Sequence, residues 1–505
     1  MTTKSIIILP NQLFAENKLI ENGCKIFIYE HPVFMTMYKY HKMKLILHRA
    51  TMKYYEDYLK EKYDKFECKI KYVKYNENFD EIIKNTKEIM MYDPVDFYVL
   101  DDIMRITKKY KINLKMETSP LFICTTDELN EYNQIRANKN KVRQHDFYIW
   151  QRKRLDILMQ GKTPIKGKWS FDILNRNKFP EDFKEIKMEA ETNAKKYIEE
   201  ATEYVNKNFS KNIGGTELYL PITHKTAKKH FKTFLITKLK CFGKYQDAIS
   251  ENIKFGCHSV ISPLLNIGLI DIRYVVEATL KFYEKNKTLI KIESVEGFLR
   301  QIIGWREYVR YVYVSRHKEL IERNFFNHNK KFSELKPWFN GTTGIYPVDV
   351  VIKKIVETGY AHHIERLMIL GNFMLLNQIQ PKIIHDWFQM MFIDSYHVFM
   401  EPNVYGMSQY SVGDMMMTKP YFSSSNYIFK MSDYRKNDER YSIIKVGDKE
   451  FKWFDIWNLL YYFFIYNNQN SLKKNYFTAM YVKQWTRLSV DEKQNIIKYA
   501  KKYLA

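Results

Sequence analysis

The sequence predicts two unlike halves joined by a long connection: an α/β domain built on a parallel sheet, then a large all-α domain. Three observations carry that prediction. Over the first ~130 residues short apolar runs alternate with helical patterns, the signature of βαβ units. Beyond about residue 220 apolar side chains recur every three or four positions, as amphipathic helices require. The chain has 505 residues, room for two large domains or three at roughly 150 residues each. The boundaries are drawn at 1–135, 136–215 and 216–505.

Strands are expected at 5–9, 25–29, 67–75, 97–100 and 121–124, with helices at 33–63, 79–91 and 101–112. Asp101 and Asp102 follow the fourth strand, where doubly wound sheets place ligand contacts. A helix N-cap with a first-turn carboxylate accounts for the pair equally well. Neither Gly-x-Gly-x-x-Gly nor a Walker-type loop occurs here, so a dinucleotide or NTP site in this half lacks support. Residues 151–158 read as a basic helix, and the Gly/Pro/Lys stretch 161–168, Trp169 and Asp172 as a connection crossing the surface. In the helical half Ser294 is placed as the cap of a helix carrying Val295, Phe298, Leu299, Ile302, Ile303, Val309 and Val312. Pro381 opens another, running to about Val398. No repeat of 20–50 residues is visible, which disfavours a solenoid.

Composition narrows the function classes. An apolar fraction of 45% and a charged fraction of 28% describe a globular chain. The longest apolar run, 459–466, falls far short of the roughly 18 residues that span a bilayer. Residues 1–4 lead straight into the first strand without a cleavage-type site, so neither a signal peptide nor a membrane segment is expected. Lys and Arg number 81 against 58 Asp and Glu, a net +23, which favours polyanions, nucleic acid first among them. The codon usage of an AT-rich genome is the competing account of that excess. Cys24, Cys68, Cys124, Cys241 and Cys257 are scattered and form no Cys-x-x-Cys. A disulfide framework and a zinc ribbon are therefore disfavoured, and a reducing compartment, cytoplasmic or nuclear, is expected.

Five segments of the helical half concentrate chemistry. His258-Ser259-Val-Ile-Ser262-Pro-Leu-Leu-Asn266 sets hydroxyls and an imidazole at a turn into a helix, which suits phosphate binding and ordinary capping alike. Trp305 and Arg306 can cover a planar ligand, though a core Trp beside an exposed Arg is commoner. His362 and His363 neighbour Arg366 at helical spacing. They point about 100° apart and no second His or Cys motif completes a zinc set, so acid work or polar packing is favoured over metal. Trp387 and Asp394, seven apart on the helix opened by Pro381, share a face, and Arg366 is the evident partner for a buried Asp394. The stretches 401–407 and 419–427 form a loop rich in aromatics and hydroxyls, suited to stacking on extruded bases.

Taken together, the five segments resemble the photolyase/cryptochrome superfamily, closest to its bacterial-type branch that includes prokaryotic (6-4) photolyases. The resemblance spans nearly the whole chain. It is most specific in Ala361-His-His-Ile-Glu-Arg-Leu-Met368, Pro402-Asn-Val-Tyr-Gly-Met-Ser408 and Thr418-Lys-Pro-Tyr421. Supporting stretches are Trp150 to Met159, Gly167 to Asp172, Leu264 to Leu269 and Gln301 to Arg310. It implies an antenna-type first domain and a second domain holding a bent FAD. It assigns His258, Ser259 and Ser262, with Asn266, to the FAD phosphates, Trp305 and Arg306 to the flavin cavity, and Arg366 with Asp394 to a salt bridge beside the isoalloxazine. His363, with His362 next to it, falls where (6-4) enzymes keep a proton-donating histidine, and Tyr421 and Tyr427 match tyrosines of the lesion pocket. Trp387 matches the tryptophan nearest the flavin in a photoreduction chain and Trp338 a more distant relay. Light-excited reduced flavin gives an electron to a flipped pyrimidine lesion in such enzymes, and an imidazolium can protonate the migrating group.

There are two departures from the family pattern. The bacterial-type proteins carry four cysteines for a [4Fe–4S] cluster; here the first position falls near Val348, Arg435 to Asp438 follow Met431-Ser-Asp-Tyr434, and no cysteine lies beyond Cys257. Thiolates hold such clusters, so none is expected. Met400 stands where relatives place an Asn or Glu facing flavin N5, and methionine is a poor partner for that proton. The leading reading is an FAD-dependent, light-driven lyase acting on UV-damaged DNA, of (6-4) type, and a monomer. A cryptochrome-like blue-light sensor and a non-photoactive flavin or nucleic-acid-binding protein are the rivals. A second antenna chromophore of the ribityllumazine type is implied only as an option, since no site for it matches residue by residue.

Overall fold

The computed structural model describes residues 4–136, 141–172, 176–186 and 194–505; parts of the expected 136–215 connection therefore lie outside the described residues. Five parallel strands make the first sheet: β1 (Ser5–Ile8), β2 (Lys25–Tyr29), β3 (Lys69–Val73), β4 (Glu88–Tyr92) and β5 (Asn113–Glu117), in the order β3-β2-β1-β4-β5. That is the doubly wound order with β1 at its centre. β1 and β2 are almost wholly apolar and buried, as central strands covered on both faces must be, whereas β3 and β5 at the edges are largely exposed. Helices α1 (Pro32–Met35), α2 (Lys42–Lys62), α3 (Phe79–Ile83) and α4 (Phe97–Tyr110) connect the strands.

Two expected strands and half of one expected helix are corrected. Residues 97–100 open α4, because the Asp96 carboxylate accepts the amides of Tyr98 and Val99 and caps the helix there. Asp101 and Asp102 are thus interior to α4, and Asp102 pairs with His31 at 3.2 Å and Arg105 at 2.8 Å. Residues 121–124 do not join the sheet: the amides of Ile123 and Cys124 donate to the Glu307 carboxylate at 2.8 and 3.0 Å. The expected helix 79–91 breaks after Ile83, and its end is β4.

The rest is largely helical, with two small hairpins, Met159–Gln160 against Thr163–Pro164 and Ile444–Val446 against Lys449–Phe451, that hydrophobic period does not reveal. Ser294 does not cap its helix, which begins at Ile292; its hydroxyl instead accepts the Gly243 amide at 3.0 Å, where a β-carbon on Gly243 would collide with Ser294. Pro381 does open a helix at its first turn, but that helix ends at Met391. Cys241 and Cys257 form a disulfide, an exception to the reading that disfavours disulfides: residues 16 apart meet with Cα atoms 5.8 Å apart. Among the described residues no helix is long and apolar enough to cross a membrane.

The two halves share a core. One apolar cluster runs from Ile6–Leu9 through α2 to Leu264, Phe298 and Val398. The helix Lys195–Asn208, from the connecting region, packs along α2, where Arg49 bridges Glu200 and Glu30. The segment 392–397 is clamped from the sheet side: Lys44 donates to the Ser395 hydroxyl at 3.0 Å, the His48 ring meets the Tyr396 hydroxyl at 2.7 Å, and His397 meets Asp96 at 2.9 Å.

Candidate functional site

Three seven-residue π-helical segments, Arg300–Arg306, Glu365–Gly371 and Pro402–Ser408, converge on one cavity of about 270 Å³. Each supplies lining side chains: Gln301, Trp305 and Arg306; Arg366 and Leu367; Asn403, Val404 and Met407. π-turns are rare and favour functional sites, since the extra residue turns side chains that an α-helix would align elsewhere. The second and third segments nearly touch. A β-carbon on Gly371 would lie 2.1 Å from the Ser408 hydroxyl and 3.0 Å from the Arg366 carbonyl, so only glycine permits the approach.

At the cavity wall Arg366 and Asp394 form a two-pronged pair, 2.9 and 3.1 Å. The Arg366 Nε donates to the Ala361 carbonyl at 2.7 Å, and its guanidinium lies 4.0 Å over the Phe392 ring. Asp394 also accepts the Ser262 hydroxyl at 2.7 Å, and its carbonyl accepts the Asn266 amide at 2.9 Å. Asn266 in turn accepts from Arg306, which lies between the Phe122 and Phe399 rings. Burial lowers the Arg306 guanidinium to about 10, and its Nε has no hydrogen-bond partner. The expected helix shared by Trp387 and Asp394 is corrected: Asp394 lies beyond Met391, in the loop that brings it to Arg366.

His258, His362 and His363 meet at one end of this cavity. Each ring offers one nitrogen to a group whose members all lie within 4.8 Å of one another. The His258 and His362 rings stack with centroids 4.8 Å apart, and His363 stands edge-on to both. Burial, reinforced by the neighbouring imidazoles, pushes His258 down to about 3 and His362 well below its usual range, so both are neutral at pH 7. His363 is 43% exposed and its Nε2 faces Asp247 at 3.3 Å.

The remaining sequence candidates fall into three places. Ser259, Trp305 and Met400 line the cavity, Trp305 fixed by its indole N–H on Asn403 at 3.0 Å. Tyr421 and Tyr427 lie outside its lining, half-buried; burial holds both hydroxyls above their usual range, helped by the charges of Asp172 and then Asp247 at Tyr421 and of Asp247 at Tyr427. Trp387 and Trp338 sit behind the wall. Trp387 is fully buried, packs on the lining residue Phe388 with ring centroids 5.4 Å apart and donates to the Trp338 carbonyl at 2.9 Å. Trp338 continues through Phe373 to Trp457, with centroids 6.2 and then 4.9 Å apart. Sequence reasoning misses Asp247 and Asn403 as site residues and the three π-segments altogether. Asn403 lies inside the family-like stretch 402–408; neither Asp247 nor the π-turns carry a local signal.

This chemistry suits a flavin dinucleotide. The walls are apolar where Phe388, Leu367 and Val404 meet, and polar at Ser259, Gln301, Asn403 and the unpartnered Arg306 Nε, a mixture that fits an aromatic ring system with a charged, hydrogen-bonding tail.

Comparison with known proteins agrees. A sequence model described as deoxyribodipyrimidine photo-lyase-related protein matches residues 6–219, and one described as the FAD binding domain of DNA photolyase matches residues 298–445. A (6-4) photolyase of Agrobacterium fabrum is 31% identical over 409 residues, which cover 81% of this chain and 78% of that protein. Among solved structures, a bacterial class III photolyase from Agrobacterium tumefaciens aligns with a TM-score of 0.55 at 15% identity, covering 85% of this chain and 84% of that one. A Synechocystis cryptochrome aligns with a TM-score of 0.56 at 13% identity, covering 85% and 88%. At such identities the two structures speak for the fold alone.

Proposed function

Because the chain belongs to the photolyase/cryptochrome superfamily, we propose that it is an FAD-dependent, light-driven enzyme that repairs UV-damaged DNA, with pyrimidine (6-4) photoproducts as its substrate. The observation that carries this reading is the juxtaposition, in one cavity, of the Arg366–Asp394 pair with a half-exposed His363 held by Asp247. When bound and reduced, FAD supplies the light-driven electron that such repair requires.

This chain's own residues do the rest. Arg306 and Arg366, anchored by Asn266 and Asp394, would hold the flavin, while Trp305, pinned by Asn403, and Leu367 would exclude water from it. Asp247 fixes the His363 ring, so a proton can be delivered at the cavity mouth from a defined position. Tyr421 and Tyr427, outside the lining, would be the rings that stack on an extruded base. Photolyases reach their target by such extrusion, at a cost of a few kcal/mol that is least where damage has already weakened the pairing. Met400 lines the cavity, and its thioether would be a poor hydrogen-bond partner for a flavin N5 proton.

No iron–sulfur cluster belongs to this reading. Val348 is buried in the helix Tyr346–Thr358, and the neighbouring space is filled by Tyr346, Tyr434, Tyr441 and Trp453, with ring centroids 4.9–6.4 Å apart.

The test is illumination of the reduced, flavin-loaded protein with a (6-4) oligonucleotide. Lesion reversal that is lost in His363→Ala supports the proposal; reversal of cyclobutane dimers alone would redirect it. Flavin photoreduction without any reversal would favour a blue-light sensor, the reading to which the buried Trp387–Trp338 contact lends itself.

A further inference from the structure

We propose that His258, His362 and His363 form a binding site for a divalent transition-metal ion of the zinc class, with one coordination position open toward the cavity. Sequence spacing argues against metal here because only two adjacent histidines are visible. The fold supplies the third from a segment about a hundred residues earlier, as site-building folds do.

The argument is one of ring nitrogens. Each imidazole has one nitrogen directed at an oxygen of the protein: Nδ1 of His258 at the Phe255 carbonyl, 3.2 Å; Nε2 of His363 at Asp247, 3.3 Å; Nε2 of His362 toward Glu365, 3.6 Å. Metal-bound histidines are oriented in this way, one nitrogen ligating and the other held by a carboxylate or backbone carbonyl. On the ligating side, Nε2 of His258 and Nδ1 of His362 have no hydrogen-bond partner, although these side chains are more than nine-tenths buried. An unpartnered buried polar atom is costly, and two of them beside a third imidazole leave a place that a cation satisfies. Zn–N bonds of about 2.0–2.1 Å put tetrahedral ligand nitrogens about 3.4 Å apart. The present spread of at most 4.8 Å therefore closes on an ion with small ring movements.

Of the nearby cations, Lys238, buried and without a hydrogen-bond partner, faces His258 and works against the ion, but the others are compensated. Lys354 is paired with Glu365 and Arg366 with Asp394, while Asp247 adds a negative charge beside His363. The donor set is all nitrogen, which selects zinc, copper, nickel or iron over magnesium and calcium. His258 and His363 both line the cavity, so an ion on three nitrogens would present its fourth position there.

Full-length protein, with whatever flavin it retains, is stripped of metal by a chelator and titrated with Zn2+, and Co2+ replaces Zn2+ for absorption spectroscopy. The expected result is one equivalent of metal and the intense visible bands of four-coordinate Co2+. Affinity should fall at least about 100-fold in His362→Ala and about 10-fold in Asp247→Asn, which removes only the orienting charge. His363→Ala, at a half-exposed position, guards against loss of folding and should also fall by about 100-fold. Binding that is unchanged in His363→Ala, or a weak six-coordinate Co2+ spectrum, overturns the site. An ion on His363 and proton delivery by His363 exclude one another, so Zn2+ should suppress lesion reversal. Reversal by the metal-free protein reads the repair proposal and Co2+ binding reads the site, so the failure of either is seen separately.

Discussion

The Arg366–Asp394 pair shows how much of this site rests on single groups. Both side chains are largely buried, and Asp394 is the common acceptor for Arg366 and Ser262. Removing one partner of a buried pair leaves a charge without compensation, which costs about 3 kcal/mol or more. Asp394→Asn should therefore lower the unfolding free energy measured in urea by an amount of that size, and combining it with Arg366→Met should cost clearly less than the sum of the two changes. Additive losses would show that the pair is not coupled. Lys44 makes a different prediction. Burial lowers its amine from 10.5 to about 7, against the raising influence of Asp394 and Asp96. Below about pH 7 folded and unfolded chains both hold the proton, and the folded one bears the full desolvation cost. Between about 7 and 10.5 the folded chain has released a proton that the unfolded chain retains, so stability rises with pH by up to about 1.4 kcal/mol per unit from this group. Parallel denaturation of wild type and Lys44→Met at pH 7 and pH 9 should show wild type gaining on the variant; a constant difference would refute the shifted amine.

Elements are legible where hydrophobic period and burial agree, and misread where a long-range contact decides. β1 and β2 stand out because central parallel strands are continuously apolar. β5, Asn-Leu-Lys-Met-Glu, is an exposed edge with two apolar residues, too weak a pattern to outweigh the more apolar 121–124. That stretch looks like a strand and is claimed by Glu307 and Arg310, almost two hundred residues away. The π-segments are invisible for a similar reason: an extra residue in a turn leaves no compositional trace, and packing against the neighbouring segment holds it. Gly304, Gly371 and Gly406, one in each segment, are the exception, since a β-carbon at any of them would strike a neighbour. Gly371→Ala should destabilise the protein by about 1–3 kcal/mol and reduce flavin retention by forcing the two π-segments apart. Ser408→Gly in the same chain should restore most of the loss, because it removes the atom the new methyl would strike. No rescue in thermal melts of the double variant would mean that Gly371 matters for backbone freedom and not for the approach.

At the scale of the molecule the two-part architecture follows from the change of period along the chain, but the closeness of the parts does not. Lys44, His48 and Asp96 from the sheet half grip residues 395–397, next to Asp394, so the site loop is held by both halves. The histidine trio has the same character, since His258 joins His362 and His363 only through the fold. What the sequence does state outright is charge. A net +23 on 505 residues, on a protein whose family acts on a polyanion, turns the compositional bias into a prediction about binding. If six or more phosphates are neutralised on docking, affinity for duplex DNA should fall about 10³-fold between 50 and 200 mM salt, for damaged and undamaged duplexes in parallel. The lesion contributes through the cavity, by contacts that release no counterions, so it should shift the two lines apart without changing their slope. Fluorescence anisotropy across that salt range measures both quantities. A slope near zero would assign the excess lysine to codon usage, and a slope that differs between the two duplexes would mean that lesion recognition itself recruits new phosphate contacts.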